Sequence, residues 1–306
     1  MAAVLPPPRP SHQVVALLMA HLVVALVALV VIGGATRVME AGLACPDWPL
    51  CYGSLLPGRR MNLQVFLEWF HRLDAFLVGL ALLALWAISL VRRHALPRWL
   101  PWGSGIALAL VACQGALGAL TVTGLLAAPT VTAHLVTALI LVLLVSALHQ
   151  GVERAPSATS AAAGPPPWWL ALLLVAVVSL LGQCLLGGSM ASRWAADLCL
   201  SSGSGCRWLL AHRIGAWPVL ISVPLLAAAS FRVPGGGSVL RGLLLTATGL
   251  VLLQAGLGVA TLRLQLQVPA VTVAHQLLAA LLVALLGAVL GRSLLPPSHP
   301  LTPASR

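Results

Sequence analysis

Lysine is absent from the 306-residue sequence, and charged residues of every kind make up only 8% of it. A soluble domain carries about a quarter, so a water-soluble globular fold is excluded. With 60% apolar residues and a mean hydropathy of +1.01, the chain reads as an all-α integral membrane protein. Its net charge of +11 rests on arginine alone. The arginines are scattered through loops and helix ends, with no basic stripe of the kind phosphate binding needs, so nucleic acid is not a partner. Zinc-finger spacing is missing too. The cysteine pairs Cys45/Cys51 and Cys199/Cys206 have five and six residues between them, not two to four, and no histidine pair completes either. The first apolar run lacks an A-x-A cleavage site, which argues for a true span over a removed leader.

What remains is long apolar runs. A helix needs about 20 apolar residues to cross the hydrocarbon core, and eight such runs lie near 13–33, 68–91, 102–123, 131–150, 168–188, 209–230, 239–262 and 272–295. Arginine in short loops biases those loops to the cytoplasm. With both termini inside, the inner segments hold Arg9, Arg92, Arg93, Arg98, Arg154, Arg232, Arg241, Arg292 and Arg306. The outer loops hold Arg37, Arg59, Arg60, Arg193, Arg207 and Arg263. Both cysteine pairs then fall on the outer side, where oxidising conditions permit Cys45–Cys51 and Cys199–Cys206 disulfides. Each would close a small ring worth roughly 2 kcal/mol on the loop-entropy view. Cys113 and Cys184 lie inside spans and read as small buried residues.

The chain is built twice. QGALGALT (Gln114 to Thr121) returns as QAGLGVAT (Gln254 to Thr261). EWFHR, ending His71-Arg72, returns as LLAHR, ending His212-Arg213; TVTAHLVTAL around His134 returns as VTVAHQLLAAL around His275. His71 to His134 and His212 to His275 both span 63 residues. The expected organisation is an N-terminal four-helix unit (1–154), a Pro/Ala/Ser-rich linker (155–167) and a C-terminal four-helix unit (168–306). An even number of spans points both units the same way, related by a pseudo-two-fold axis along the membrane normal.

Four histidines matched in depth and spacing can face each other as two pairs across two bundles, where facing side chains build cofactor sites. Two imidazoles in an apolar slot suit haem iron better than zinc, which wants three or four protein ligands. Arg72 and Arg213 are candidate propionate contacts, or snorkel to the interface. Gly115, Gly118, Ala119, Gly256 and Gly258 leave room for a macrocycle or let helices pack closely. Gln114 and Gln254 read as interhelical hydrogen-bond donors. His21 has no counterpart and reads as structural, while His12, His94, His149 and His299 carry no assigned role.

One residue breaks the symmetry. Glu68 lies three positions before His71 and shares its helix face, but the second copy has Leu209 there. An ionisable group in a span is a functional hypothesis by default. Beside a haem edge it could accept a proton or steady a developing cation; a helix-start carboxylate favoured by the dipole is the other reading. Asp74, one turn deeper, is likewise replaced, by Gly215.

The combination CPDWPLC, EWFHR, TAHLVTA, the second cysteine pair, LAHRIG and VAHQLLA resembles haem A synthase, across nearly all of residues 13–295. The resemblance implies oxidation of a haem O methyl to a formyl group by successive hydroxylation, for cytochrome c oxidase assembly. It implies a substrate haem at His71 and His134 with Glu68 at the reacting edge, and a haem b cofactor whose iron is held by His212 and His275. A farnesyltransferase making haem O and an unspecified electron acceptor are the implied partners. Two other readings of the residues remain: a di-haem b electron-transfer subunit, which leaves the single acid unexplained, and a transporter, which would place its polar residues nearer the bilayer midplane.

Overall fold

The computed structural model describes residues 10–153, 165–233 and 237–295. Arg9, Arg154, Arg306, His299 and linker residues 155–164 lie outside them. The described residues are helical, with only an isolated two-residue bridge at Cys51 and Ser54. The helices are α1 (Pro10–Val38), α2 (Leu63–Val91), α3 (Leu100–Thr123), α4 (Ala128–Glu153), α5 (Pro167–Ser192), α6 (Ala195–Ser202), α7 (Cys206–Ala229), α8 (Gly237–Arg263) and α9 (Pro269–Leu294). All but α6 are long and apolar enough to cross a membrane. The eight expected spans therefore each correspond to a helix, and α6, within the second cysteine loop, is an addition.

Most helices start several residues before their hydropathy runs, because polar caps and prolines, not apolar residues, begin them. Asn62 caps α2 by accepting the Val65 N–H at 2.9 Å. Proline opens α3, α5 and α9, where its missing N–H costs nothing. This matters for depth. His71 stands eight residues into α2, and His134, His212 and His275 each stand six into α4, α7 and α9. That is about two turns, or roughly 9–12 Å, deeper than the single turn the hydropathy limits imply.

At the centre, α4 and α9 touch backbone to backbone. A Cβ on Gly287 or Gly291 would collide with the Leu143 or Ala147 carbonyl of α4. This small-xxx-small pair is the packing device of apolar helices in lipid, where no hydrophobic force draws them together. Ser146 donates to the Ala284 carbonyl across the same seam at 2.6 Å. Further cross-links join the halves of the chain. Arg37 at the end of α1 reaches the Ala191 carbonyl of α5 at 2.7 Å, and Gln276 of α9 reaches the Val30 carbonyl of α1 at 3.2 Å.

Candidate functional site: two histidine pairs

Each half of the chain brings two imidazoles together. His71 of α2 faces His134 of α4 with ring centroids 6.4 Å apart and planes at 80°. His212 of α7 faces His275 of α9, also at 6.4 Å, with planes at 74°. Glycine on a neighbouring helix admits each ring. A Cβ at Gly33 (α1) would fall 3.0 Å from His71 Cε1, and one at Gly187 (α5) 3.0 Å from His212 Cε1. Gly118 (α3) and Gly258 (α8) stand in the same relation to His134 and His275, at 3.5 and 3.2 Å. Each of the eight long helices thus has one residue at a pair.

Two features fit these pairs to a group with one metal and two axial positions. Metal–imidazole bonds of about 2 Å on each side put facing ring centroids a little over about 6 Å apart, which the observed spacing matches. Nine buried polar side-chain atoms lack a partner among the described residues, and six of them lie here: Nδ1 of His71, His134 and His275, and Oε1 of Gln114, Gln183 and Gln254. Buried groups of this kind are ordinarily satisfied, so a cluster of them calls for an occupant. No group of three or more His, Cys, Asp or Glu is placed to hold a metal among the described residues, so the donor set suits a macrocycle's iron.

The glutamines differ between the halves. Gln114 donates to the His134 carbonyl at 2.9 Å, whereas the Gln254 amide nitrogen approaches the His275 ring at 3.4 Å. Gln183 has no counterpart, since Leu29 occupies its place in α1. It donates to the His212 carbonyl at 2.8 Å and lies 3.1 Å from His212 Nδ1. Sequence comparison within the chain passed over it, although an unmatched amide in an apolar span is a readable signal.

The outer ends differ more. Glu68 is 4% exposed. One oxygen accepts the Cys45 N–H at 2.7 Å and the other meets Arg72 at 2.5 Å. Because α2 starts at Leu63, this carboxylate lies beyond the first turn, where the dipole effect fades. Arg72 also donates to the Asp47 carbonyl at 2.5 Å, to the Leu50 carbonyl and to the Cys45 carbonyl at 3.3 Å. Its guanidinium is directed into the CPDWPLC loop. Cys45 and Cys51 are disulfide-bonded and buried, with Cα atoms 4.7 Å apart.

Above the second pair no such network exists among the described residues. Leu209 is buried in the place of Glu68, and Arg213 is exposed, with no hydrogen bond or ion pair among the described residues. The Cys199–Cys206 disulfide instead straddles the end of α6, with Gly203 and Gly205 at φ of 72° and 75°, a region open to glycine. Asp74 and His21 line a groove between α1 and α2.

The sequence matches the family described as cytochrome oxidase assembly protein, COX15-CtaA, over residues 15–287. A heme A synthase of Shewanella oneidensis is 30% identical over 307 positions, covering 83% of this chain and 89% of its own length. One from Symbiobacterium thermophilum is 40% identical over 94 residues, 30% of this chain and 29% of its own. A protoheme IX farnesyltransferase of Haloarcula marismortui is 34% identical over 106 residues, covering 35% of this chain and 22% of that protein.

Proposed function

The chain belongs to the COX15-CtaA family of cytochrome oxidase assembly proteins, and from that premise we propose that it is a haem A synthase. It converts one methyl group of haem O to formyl by two hydroxylations and loss of water. The net change takes one water and releases four protons and four electrons per formyl group made. The observation carrying this reading is the asymmetry of two equal histidine pairs, only one of which has a buried carboxylate on the adjoining turn.

In this reading the N-terminal unit binds the substrate. His71 and His134 orient it, and the apolar bundle around them excludes bulk water. Glu68, on the same helix face as His71, accepts a proton released at the methyl carbon. The Cys45–Cys51 loop, tied to Glu68 and Arg72, covers the outer side and fixes the carboxylate's direction. His212 and His275 would hold haem b, which supplies a one-electron redox centre when bound. Gln183 and Gln254 would orient those two imidazoles, the kind of outer-shell contact that tunes a metal site.

Both units point the same way through the membrane, related by a pseudo-two-fold axis, with termini cytoplasmic and cysteine loops outside. A farnesyltransferase provides haem O, and a separate acceptor removes the electrons. The test is mass analysis of haems extracted from a host that makes haem O but no haem A. A new formyl haem on expression of this chain is expected; unchanged haem O refutes the activity.

A further inference from the structure

Below the first histidine pair, α1 and α2 separate into a groove of about 190 Å³, lined by Leu18, His21, Ala25, Asp74, Leu77 and Ala81 among others. The lining runs over seven residues of each helix, about 10 Å of length. Its walls are aliphatic, and His21 and Leu77 are exposed at its mouth, so it opens sideways toward lipid. Asp74 is one turn from His71 on the same face and thus stands at the end nearer the histidine pair. It is half-buried and makes no hydrogen bond or ion pair among the described residues. A carboxyl group in a span without a partner is costly to keep, and neither the fold nor the proposed chemistry uses it.

The matching positions of the second unit differ. Gly215 replaces Asp74, and Val175 stands where α1 has His21. The space is also filled: a Cβ at Gly215 would fall 2.6 Å from Gln183 Oε1 and 2.7 Å from Leu186 Cδ1. The two histidine pairs therefore differ beside them, with a groove at Asp74 and packed side chains at the matching Gly215.

We propose that the α1–α2 groove is the subsite for the isoprenoid tail of the substrate haem, with Asp74 accepting a hydrogen bond from the tail's hydroxyl. This rests on the proposed function, in which the first unit takes haem O and the second a tail-less haem b. Haem O differs from protohaem by a hydroxyethylfarnesyl chain, whose hydroxyl sits on the carbon joined to the macrocycle. An acceptor at the groove's upper end and aliphatic walls beyond it match that order of groups. The packed side chains at Gly215 match a macrocycle without a tail, and so help keep the two haems in their own sites. Opening toward lipid lets a long tail enter and leave without unfolding the bundle.

The experiment is an equilibrium titration of full-length protein in lipid nanodiscs, its second site loaded, with haem O or protohaem followed by Soret absorbance. The unaltered protein should prefer haem O by about tenfold or more, the scale on which a shaped apolar pocket discriminates. Ala25→Phe and Ala81→Phe should each reduce that preference to about threefold or less with protohaem affinity unchanged. Retained protohaem binding shows that a variant is folded. Farnesol adds a test on unaltered protein: it should compete with haem O and leave protohaem binding alone. A preference that survives both substitutions, or indifference to farnesol, overturns the subsite. Loss of formyl-haem production with the tail preference intact would instead overturn the enzymatic reading and leave the groove standing.

Discussion

The two halves of this chain agree at the histidines and differ in the charged groups around them. Both pairs sit at 6.4 Å, each ring is admitted by a glycine, and a glutamine of α3 or α8 reaches the later histidine of each pair. Around the first pair stand Glu68, Arg72 and Asp74; their places in the second hold Leu209, Arg213 and Gly215. In the proposed reading the binding geometry is kept as a unit in both halves, because an iron would fix ligand distance and direction together. Acid–base groups are under no such joint constraint. On the proposed function, the copy without a carboxylate would still hold a macrocycle and so serve as the cofactor site.

Removing the proposed catalytic asymmetry should give the largest effect. Glu68→Gln keeps the size of the side chain and an acceptor for the Cys45 N–H but removes the charge. Formyl-haem production should fall by about a hundredfold or more, while haem content at the second site stays at the unaltered level. Undiminished turnover would show that the carboxylate only anchors the loop. The complementary substitutions, His212→Ala and His275→Ala, should strip the haem absorbance from the purified protein and leave haem O binding at the first site within about twofold. Equal loss at both sites would mean that the units do not function separately.

Next comes the loop anchor. Arg72 joins Glu68 to three carbonyls of the CPDWPLC loop, so Arg72→Ala leaves a buried carboxylate without its counter-charge. Breaking one side of a buried pair costs about 3–5 kcal/mol, which should appear as a lower unfolding temperature in detergent and faster proteolysis between Cys45 and Cys51. Arg213→Ala, at an exposed side chain, should change neither by more than about 0.5 kcal/mol. Similar effects at both arginines would contradict the difference between the outer ends.

A smaller effect is expected at Gln183, which has no partner in the first unit. Gln183→Leu removes the bonds to the His212 carbonyl and ring, worth about 1 kcal/mol together with their desolvation. The second haem should remain bound but shift in reduction potential or Soret position. An unshifted spectrum and potential would make Gln183 mere packing against Gly215.

Much of this was readable in the sequence, for reasons that can be named. The eight spans were legible because each must be apolar over its whole length, and the histidine pairs because a 63-residue interval occurs twice. Helix starts were not, since Asn62 and the opening prolines carry no hydropathy signal, and this misplaced the histidines by about a turn. The role of Arg72 was hidden because its partners are the Asp47, Leu50 and Cys45 carbonyls, and backbone acceptors are the same in every sequence. Gln183 escaped because attention to matched residues discards unmatched ones. Asp74 stands out in the sequence without a reason, because the groove it lines depends on how far α1 and α2 separate.

The mildest expected effect concerns Asp47, within the first cysteine loop and without a counterpart in the second. Its carboxylate accepts the Gly53 N–H at 2.7 Å and the Tyr52 N–H at 2.6 Å. Those two N–H groups, Gly53 first, hold its pKa below the ordinary 3.8, with the nearby Arg72 charge adding to them. A carboxyl depressed in the folded state stabilises it above the unfolded pKa, and the contribution fades as pH falls through the folded value. Loop protection should therefore be constant from neutral pH down to about pH 4 and weaken below it. Amide exchange at Tyr52 and Gly53, corrected for its intrinsic pH dependence, reads this directly, and Asp47→Asn should abolish the pH-dependent step. The Cys199–Cys206 loop has no carboxylate accepting such N–H pairs among the described residues, so its amides should show no matching transition. If both loops loosen together in acid, the change belongs to the whole outer face, and the distinction between the two ends fails at this level.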